Sequence, residues 1–291
     1  MKLDKNTKIL IVGLGLIGAS YAEALLQKGY FVGGLDPDKE TANYALKNGF
    51  VKTCKTTPDS EYISQFDLII FAVYESVILD WILKNQQFIK QNAIISDVTG
   101  IKCTFIYKLQ DILRQDLEFI GAHPMAGRES SGIKNASAEI FKGANFIITP
   151  TEKNSAGAID LCRELGILLG FSNISVLSPE KHDEVITFLS QLTHCIAISL
   201  MTCRDMGGMS EYSGDSFRDL TRIAKINDKM WSELFLQNSK TLLKEMDLFK
   251  KSFDNLYNLI LEGDREKMCE LMQKSTKNRE LFDKKEGYDL L

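Results

Sequence analysis

The sequence predicts an α/β fold over residues 1–178, followed by an all-α region over 179–291. Three observations carry this. Short β-branched runs alternate with helical patterns through the first half. A glycine-rich turn joins the first run to the first helix. Strand patterns end at Ser178-Pro179, and helical periodicities follow.

Lys8-Ile9-Leu10-Ile11-Val12 reads as a buried parallel strand. Gly13-Leu14-Gly15-Leu16-Ile17-Gly18 follows at once, then a helical pattern from about Ile17 to Lys28. Phe31–Leu35 is a second strand and ends at Asp36. Strand, G-x-G-x-x-G and helix together form a dinucleotide-binding fingerprint. Gly13 permits the tight turn, Gly15 lets a pyrophosphate approach the backbone, and Gly18 lets helix and strand pack closely. The helix start at Leu16 and Ile17 supplies amides and a positive dipole end. Asp36 suits the ribose hydroxyls and would repel a 2′-phosphate, which favours NAD over NADP.

The alternation continues. Asp67–Val73, Ala93–Asp97, Glu118–Ala122, Asn145–Thr149 and Ile174–Leu177 read as strands. Helices are expected from Glu75 to about Lys90, near Cys103–Leu113, and from Ala156 to about Leu169. This predicts a mostly parallel sheet covered on both faces, with ligands beyond the carboxyl ends of its strands. Val73, Thr99 and His123 fall at such ends and converge on the expected nicotinamide site. His123 opens the stretch His123-Pro124-Met125-Ala126-Gly127 in a chain with only three histidines. An imidazole placed there can take up and return a proton near neutral pH; alone, it could equally cap a turn.

Beyond Ser178, residues 181–204 read as one apolar helix. Asp183, Thr187, Gln191 and His194 share one of its faces. Such a stripe must meet a partner, a wet cavity or solvent. A long helix is expected from about Lys229 to Leu261. On it Phe235, Leu242, Phe249 and Leu256 recur every seven residues, with Met246, Phe253 and Ile260 between them. That seam suits an intrachain core stripe or a second copy of the chain. The polar tail, Lys284–Tyr288, is expected to be mobile.

Bulk properties narrow the function classes. Net charge is -4, so no broad cationic field is present for nucleic acid or an anionic membrane. The six cysteines form no C-x-x-C pair and no metal-ligand spacing, so no metal site is expected. No apolar run approaches ~18 residues, so no membrane span is expected. No signal-peptide pattern opens the chain, and a cytoplasmic location is the default.

With these residues laid out, the chain resembles the prephenate/arogenate dehydrogenase family of tyrosine biosynthesis. The same features occur in the same order: the glycine fingerprint, D-x-x-x-x-K at Asp97–Lys102, HPMAG at 123–127, a His-Asp pair at 182–183, and FRDxTRIA at 217–224 with Trp231 beyond. The resemblance implies a Rossmann-type NAD-binding domain over 1–178 and an all-α substrate and dimerisation domain over 179–291, forming a homodimer. It implies oxidative decarboxylation of prephenate, or of arogenate, with NAD. His123 would be the catalytic histidine on the ring C4 hydroxyl, helping hydride departure. Arg222 would bind a substrate carboxylate, for which its planar fork suits it; the alternative is a surface ion pair with Asp219. His194 joins the catalytic set by resemblance, and Glu129, Asp219 and Gln191 match substrate-pocket positions. Arg128 would favour prephenate and Glu129 arogenate. Any tyrosine feedback would act at the active site.

The chain departs from the family pattern in places. Many members carry serine where Gly100 stands; Thr99 or water could replace it. A family histidine is Gln191 here, and a following proline is Thr193. Two other readings compete. A β-hydroxyacid-type dehydrogenase would use a lysine on the 181–204 helix, which has none after Lys181. A redox-sensing module would bind NAD without turnover, and His123 and Arg222 speak against it.

Overall fold

The computed structural model describes residues 2–127 and 130–283. Its strands are β1 (Lys8–Val12), β2 (Phe31–Leu35), β3 (Thr53–Lys55), β4 (Leu68–Phe71), β5 (Ile94–Asp97), β6 (Glu118–Met125), β7 (Asn145–Thr149) and β8 (Asn173–Val176). They form one sheet in the order β3-β2-β1-β4-β5-β6-β7-β8. Neighbours run parallel except β6 with β7, which are antiparallel. The chain leaves β1 toward β2 on one side and later fills β4 on the other. A crevice therefore opens at the carboxyl end of β1, where the strand order reverses.

The helices of this half are α1 (Leu16–Gln27), α2 (Lys39–Lys47), α3 (Ser60–Ile63), α4 (Glu75–Asn85), α5 (Ile106–Ile112) and α6 (Ala156–Leu169). Side chains alternate across the sheet, so each strand feeds two cores. Ile9, Ile11, Leu68 and Ile70 pack with Tyr21 and Leu25 of α1 and Leu161 and Leu165 of α6. Leu10, Val12, Ile69 and Phe71 pack with Ile78 and Trp81 of α4 and Leu109 of α5.

The elements β3, α2 and α3 are additions to the sequence reading, and four of the boundaries that differ from it bear on the site. Helix α5 begins at Ile106, not near Cys103, because the Lys102 and Cys103 amides are held by the Asp183 carboxylate. Strand β6 runs on to Met125. Its pairing with β5 covers only Glu118–Ile120; from Gly121 onward it pairs with β7. His123 is therefore a strand residue opposite Ile147, beyond the end of β5. The helix expected over 181–204 is α7 (Pro179–Ile186), a π turn (Thr187–Leu192) and α8 (Thr193–Thr202). Ser178 caps α7 by accepting from the Lys181 amide, and Pro179 occupies its first turn.

The fourth is the long helix expected over 229–261. After α9 (Asp215–Thr221) come α10 (Asp228–Gln237) and α11 (Ser239–Glu262), broken at Asn238. The Asn238 amide donates to Thr187 Oγ1 at 2.6 Å and to Gln191 Oε1 at 2.8 Å, and its backbone leaves helical geometry (φ -110°). Phe235 is thereby separated from the rest of the heptad seam. A last helix, α12 (Arg265–Glu280), closes the described chain. The tail at 284–288 lies outside the described residues.

The chain divides into two compact units, Met1–Ser239 and Lys240–Leu291. The first holds the sheet with α1–α10. In the second, α11 buries Leu242 and Leu259 but leaves Phe253 and Ile260 exposed.

The expectation that no segment is apolar enough to cross a membrane needs correction. Within Pro179–Thr202, a helical stretch of 24 residues, an 18-residue window reaches mean hydropathy 1.5 and meets that measure by composition. Its buried polar side chains, however, are bonded to the rest of the protein: Asp183 to residues 102 and 103, His182 to His123, and Thr187 and Gln191 to Asn238.

Candidate active site

The glycine turn after β1 is shaped by contact. Gly13 has φ +90°, and a Cβ there would sit 2.5 Å from the Ala72 carbonyl and from Val73. A Cβ on Gly18 would lie 1.9 Å from the Gly13 carbonyl oxygen. Gly15 differs: a Cβ there would meet nothing within 4 Å. It caps α1 without a side-chain hydrogen bond, so the first-turn amides around Leu16 and Ile17 face an open approach. Asp36, buried at the end of β2, accepts from the Leu14 amide at 2.7 Å and the Asp38 amide at 3.0 Å. A carboxylate has about four acceptor positions, so Asp36 can still receive ribose hydroxyls. These residues fit a dinucleotide.

At the carboxyl ends of β5 and β6 lies a buried polar network. Lys102, fully buried, donates from Nζ to Asp97 Oδ2 at 2.5 Å and to the Ala122 carbonyl at 2.6 Å. Asp97 Oδ1 accepts from the Ala122 amide at 3.1 Å. The residue before His123 is thus held on both backbone faces. Burial lowers the Lys102 pKa, and Asp97 opposes that shift.

His123 then meets His182 of α7. His123 Nδ1 lies 2.8 Å from His182 Nε2, and His182 Nδ1 lies 2.7 Å from Asp183 Oδ1. Asp183 also accepts from the Lys102 amide at 2.9 Å and the Cys103 amide at 2.8 Å. Burial raises the Asp183 pKa, but the His182 bond and the Cys103 amide outweigh it and hold the carboxyl below its usual range. Burial holds His123 well below the usual histidine value, helped by the neighbouring His182 and Lys102 charges. Burial also lowers His182, against the pull of Asp183. Both rings are therefore neutral near pH 7.

The model of the prephenate dehydrogenase nucleotide-binding domain matches residues 21–170, and that of the prephenate dehydrogenase dimerization domain matches 178–274. The chain belongs to the prephenate dehydrogenase family. A cyclohexadienyl dehydrogenase of Zymomonas mobilis is 30% identical over 93% of this chain and 94% of its own. The crystal structure of prephenate dehydrogenase from A. aeolicus, in complex with hydroxyphenyl propionate and NAD+, is 28% identical with a TM-score of 0.86, covering 95% of this chain and 98% of that one. Synechocystis arogenate dehydrogenase is 25% identical with a TM-score of 0.81, covering 95% of this chain and 100% of its own.

The residues expected from the prephenate dehydrogenase pattern have distinct surroundings. His194, on α8, stacks on Trp231 with ring centroids 3.6 Å apart, and its Nδ1 lies 2.8 Å from the Ser190 carbonyl. That bond leaves Nε2 as an acceptor. Arg222 is exposed in a short turn, Arg222–Ala224, that packs on α8. Asp219 is exposed on α9. Gln191, expected at the substrate, is fully buried and engaged at both ends of its amide, by Asn238 and by the Leu234 carbonyl at 3.0 Å. Its contacts join the π turn to α10. Arg128 and Glu129 lie outside the described residues.

Thr99 is also committed elsewhere. Its amide and its hydroxyl both donate to Asp97, and the hydroxyl receives Lys102 Nζ at 3.2 Å. It therefore does not stand in for a serine at position 100. A Cβ on Gly100 would meet nothing nearer than Leu234 at 3.6 Å, so the place of that serine is open. Lys181 is exposed and pairs with Glu184 at 3.0 Å, unlike a lysine serving a β-hydroxyacid-type reaction. The sequence reading gives His182 no role. The signal is present all the same: an adjacent His-Asp pair at the start of an apolar helix, one of three histidines in the chain.

Proposed function

We propose that this chain is an NAD-dependent dehydrogenase that converts prephenate to 4-hydroxyphenylpyruvate and CO2. The observation that carries this reading is a neutral, half-buried imidazole at residue 123, standing past the end of β5 in the sheet that also bears the glycine cradle. NAD, when bound, supplies the hydride acceptor. Gly13, Gly15, Leu16, Ile17 and Gly18 would hold its pyrophosphate, Asp36 its ribose, with Val73 beside the nicotinamide.

His123 Nε2 accepts the proton of the substrate C4 hydroxyl as hydride leaves C4. General-base help of this kind is worth roughly 10²–10⁴-fold. Loss of CO2 accompanies aromatisation and makes the step effectively irreversible. Arg222 pairs a substrate carboxylate, and His194, flat against Trp231, borders the same ring. Asp219, and by the family pattern Glu129 and Arg128, are the remaining proposed substrate contacts. The helical residues 179–291 form the substrate and dimer-forming domain. Phe188 and Leu189, 54% and 45% exposed on the π turn, supply apolar surface for a second copy.

The test is NADH formation by the purified protein with NAD and either prephenate or arogenate. Turnover of prephenate with release of 4-hydroxyphenylpyruvate is expected. Turnover of arogenate alone, giving tyrosine, would reassign the substrate; NAD binding without turnover of either would make the chain a sensor. Light scattering should show a dimer.

A further inference from the structure

The catalytic histidine is the first ring of a chain of hydrogen bonds whose far end is a carboxylate. Asp183 accepts the Lys102 and Cys103 amides and has no proton of its own to give. Its contact with His182 Nδ1 therefore requires a proton on that nitrogen. A neutral His182 then presents a bare Nε2. His123 Nδ1, 2.8 Å away, must donate to it. The remaining nitrogen of His123, Nε2, is left with its lone pair. Each step follows from the valence of a neutral ring, and the carboxylate end sets the direction.

We propose that His182 and Asp183 are positioning residues that hold His123 in the one neutral tautomer able to accept a proton at Nε2. This rests on the reading of His123 as the base of the dehydrogenase reaction. Neither residue touches substrate in this arrangement. Without His182, the His123 ring is free to carry its proton on Nε2, where it could not act as a base. His182 also fixes the ring plane, since it is fully buried and caught between two partners. Wrong tautomers of a catalytic histidine are costly even when the geometry survives.

Two measurements on the full chain test this. The first is the nitrogen-15 spectrum of the imidazoles above neutral pH, which separates the two tautomers without any turnover. Three histidines make assignment by single variants direct. The wild type should show His123 and His182 protonated at Nδ1 and bare at Nε2; a bare Nδ1 on His123 would overturn the proposal. In His182→Ala the His123 signal should move toward the opposite tautomer. An unchanged signal would again overturn it.

The second is kinetics. His182→Ala should lower kcat on the order of 10²-fold with KM for both substrates nearly unchanged. Its acid limb should also move to higher pH, because the His182 contribution that helps lower His123 is gone, while Lys102, Asp97 and Asp183 still face the site. A loss confined to KM, or a kcat within about threefold of wild type, would overturn the role. Should the alanine variant not fold, His182→Gln decides: its amide can donate to Asp183 and accept from His123, so the tautomer and most of kcat should survive, and their loss counts against the proposal. If the wild type turns over neither substrate, the dehydrogenase reading fails while the spectrum still judges the His182–His123 link.

Discussion

Lys102 Nζ lies 2.5 Å from Asp97 Oδ2, and both side chains are fully buried. Two charges taken out of water recover their desolvation only when each stays paired and hydrogen-bonded. Both are: the ammonium also reaches the Ala122 carbonyl, and the carboxylate also takes the Ala122 amide. Lys102→Ala would strand Asp97. Urea unfolding should show a loss of about 3–5 kcal/mol. Asp97→Asn combined with Lys102→Met should recover much of it, since no bare charge remains. A single variant as stable as wild type would mean that water reaches the pair.

The second and third glycines of the fingerprint should separate stability from binding. Gly15→Ala places a methyl where the protein has nothing within 4 Å. Its unfolding free energy should change by less than about 0.5 kcal/mol, while NAD affinity falls sharply. Gly18→Ala meets a carbonyl oxygen at 1.9 Å and should destabilise the fold itself by about 1–3 kcal/mol. Calorimetric titration and thermal unfolding read the two effects apart.

All three histidines have pKa values lowered by burial. Above the unfolded value of ~6.5 both folded and unfolded states hold neutral rings, so the stability contribution is fully present. Below it the unfolded chain takes up protons that the folded chain does not. Stability should therefore fall as pH drops from about 6.5, each group adding up to ~1.4 kcal/mol per pH unit. Denaturant midpoints between pH 8 and 5 check this. In activity, the acid limb of kcat/KM should lie below the usual histidine range, because His123 works only when neutral.

Asp36→Ala removes the carboxylate that would repel a 2′-phosphate, and discrimination between NAD and NADP should relax. It also orphans the Leu14 amide, now bonded at 2.7 Å, at a cost of about 1–3 kcal/mol. Unchanged discrimination would place the ribose away from this residue.

Seven of the eight described strands were legible because a buried parallel sheet needs unbroken apolar runs, and Lys8–Val12 and Asp67–Val73 are such runs; the short, half-buried edge strand β3 was not. The glycine fingerprint was legible for the same local reason. What escaped the reading was set by partners distant in sequence. Nothing near Asn238 announces that its side chain will reach residues 187 and 191 and break the helix there. Nothing near Cys103 says that a carboxylate eighty residues on will occupy its amide and delay α5. Strand β6 runs past Ala122 because β7 arrives from the opposite direction to pair with it, a tertiary fact. The role of His182 was hidden in the same way, since its meaning depends on the ring it faces.

The grip of Asp183 on two loop amides has a mechanical side. It pins the opening turns of α7 to the sheet, so the helical segment cannot swing about residue 178 without tearing a charged cap apart. Bending of this segment that leaves those bonds intact would have to occur farther along, past Ile186, where the widened turn at Thr187–Leu192 already departs from regular winding. Bending there would leave the proton-handling rings aligned.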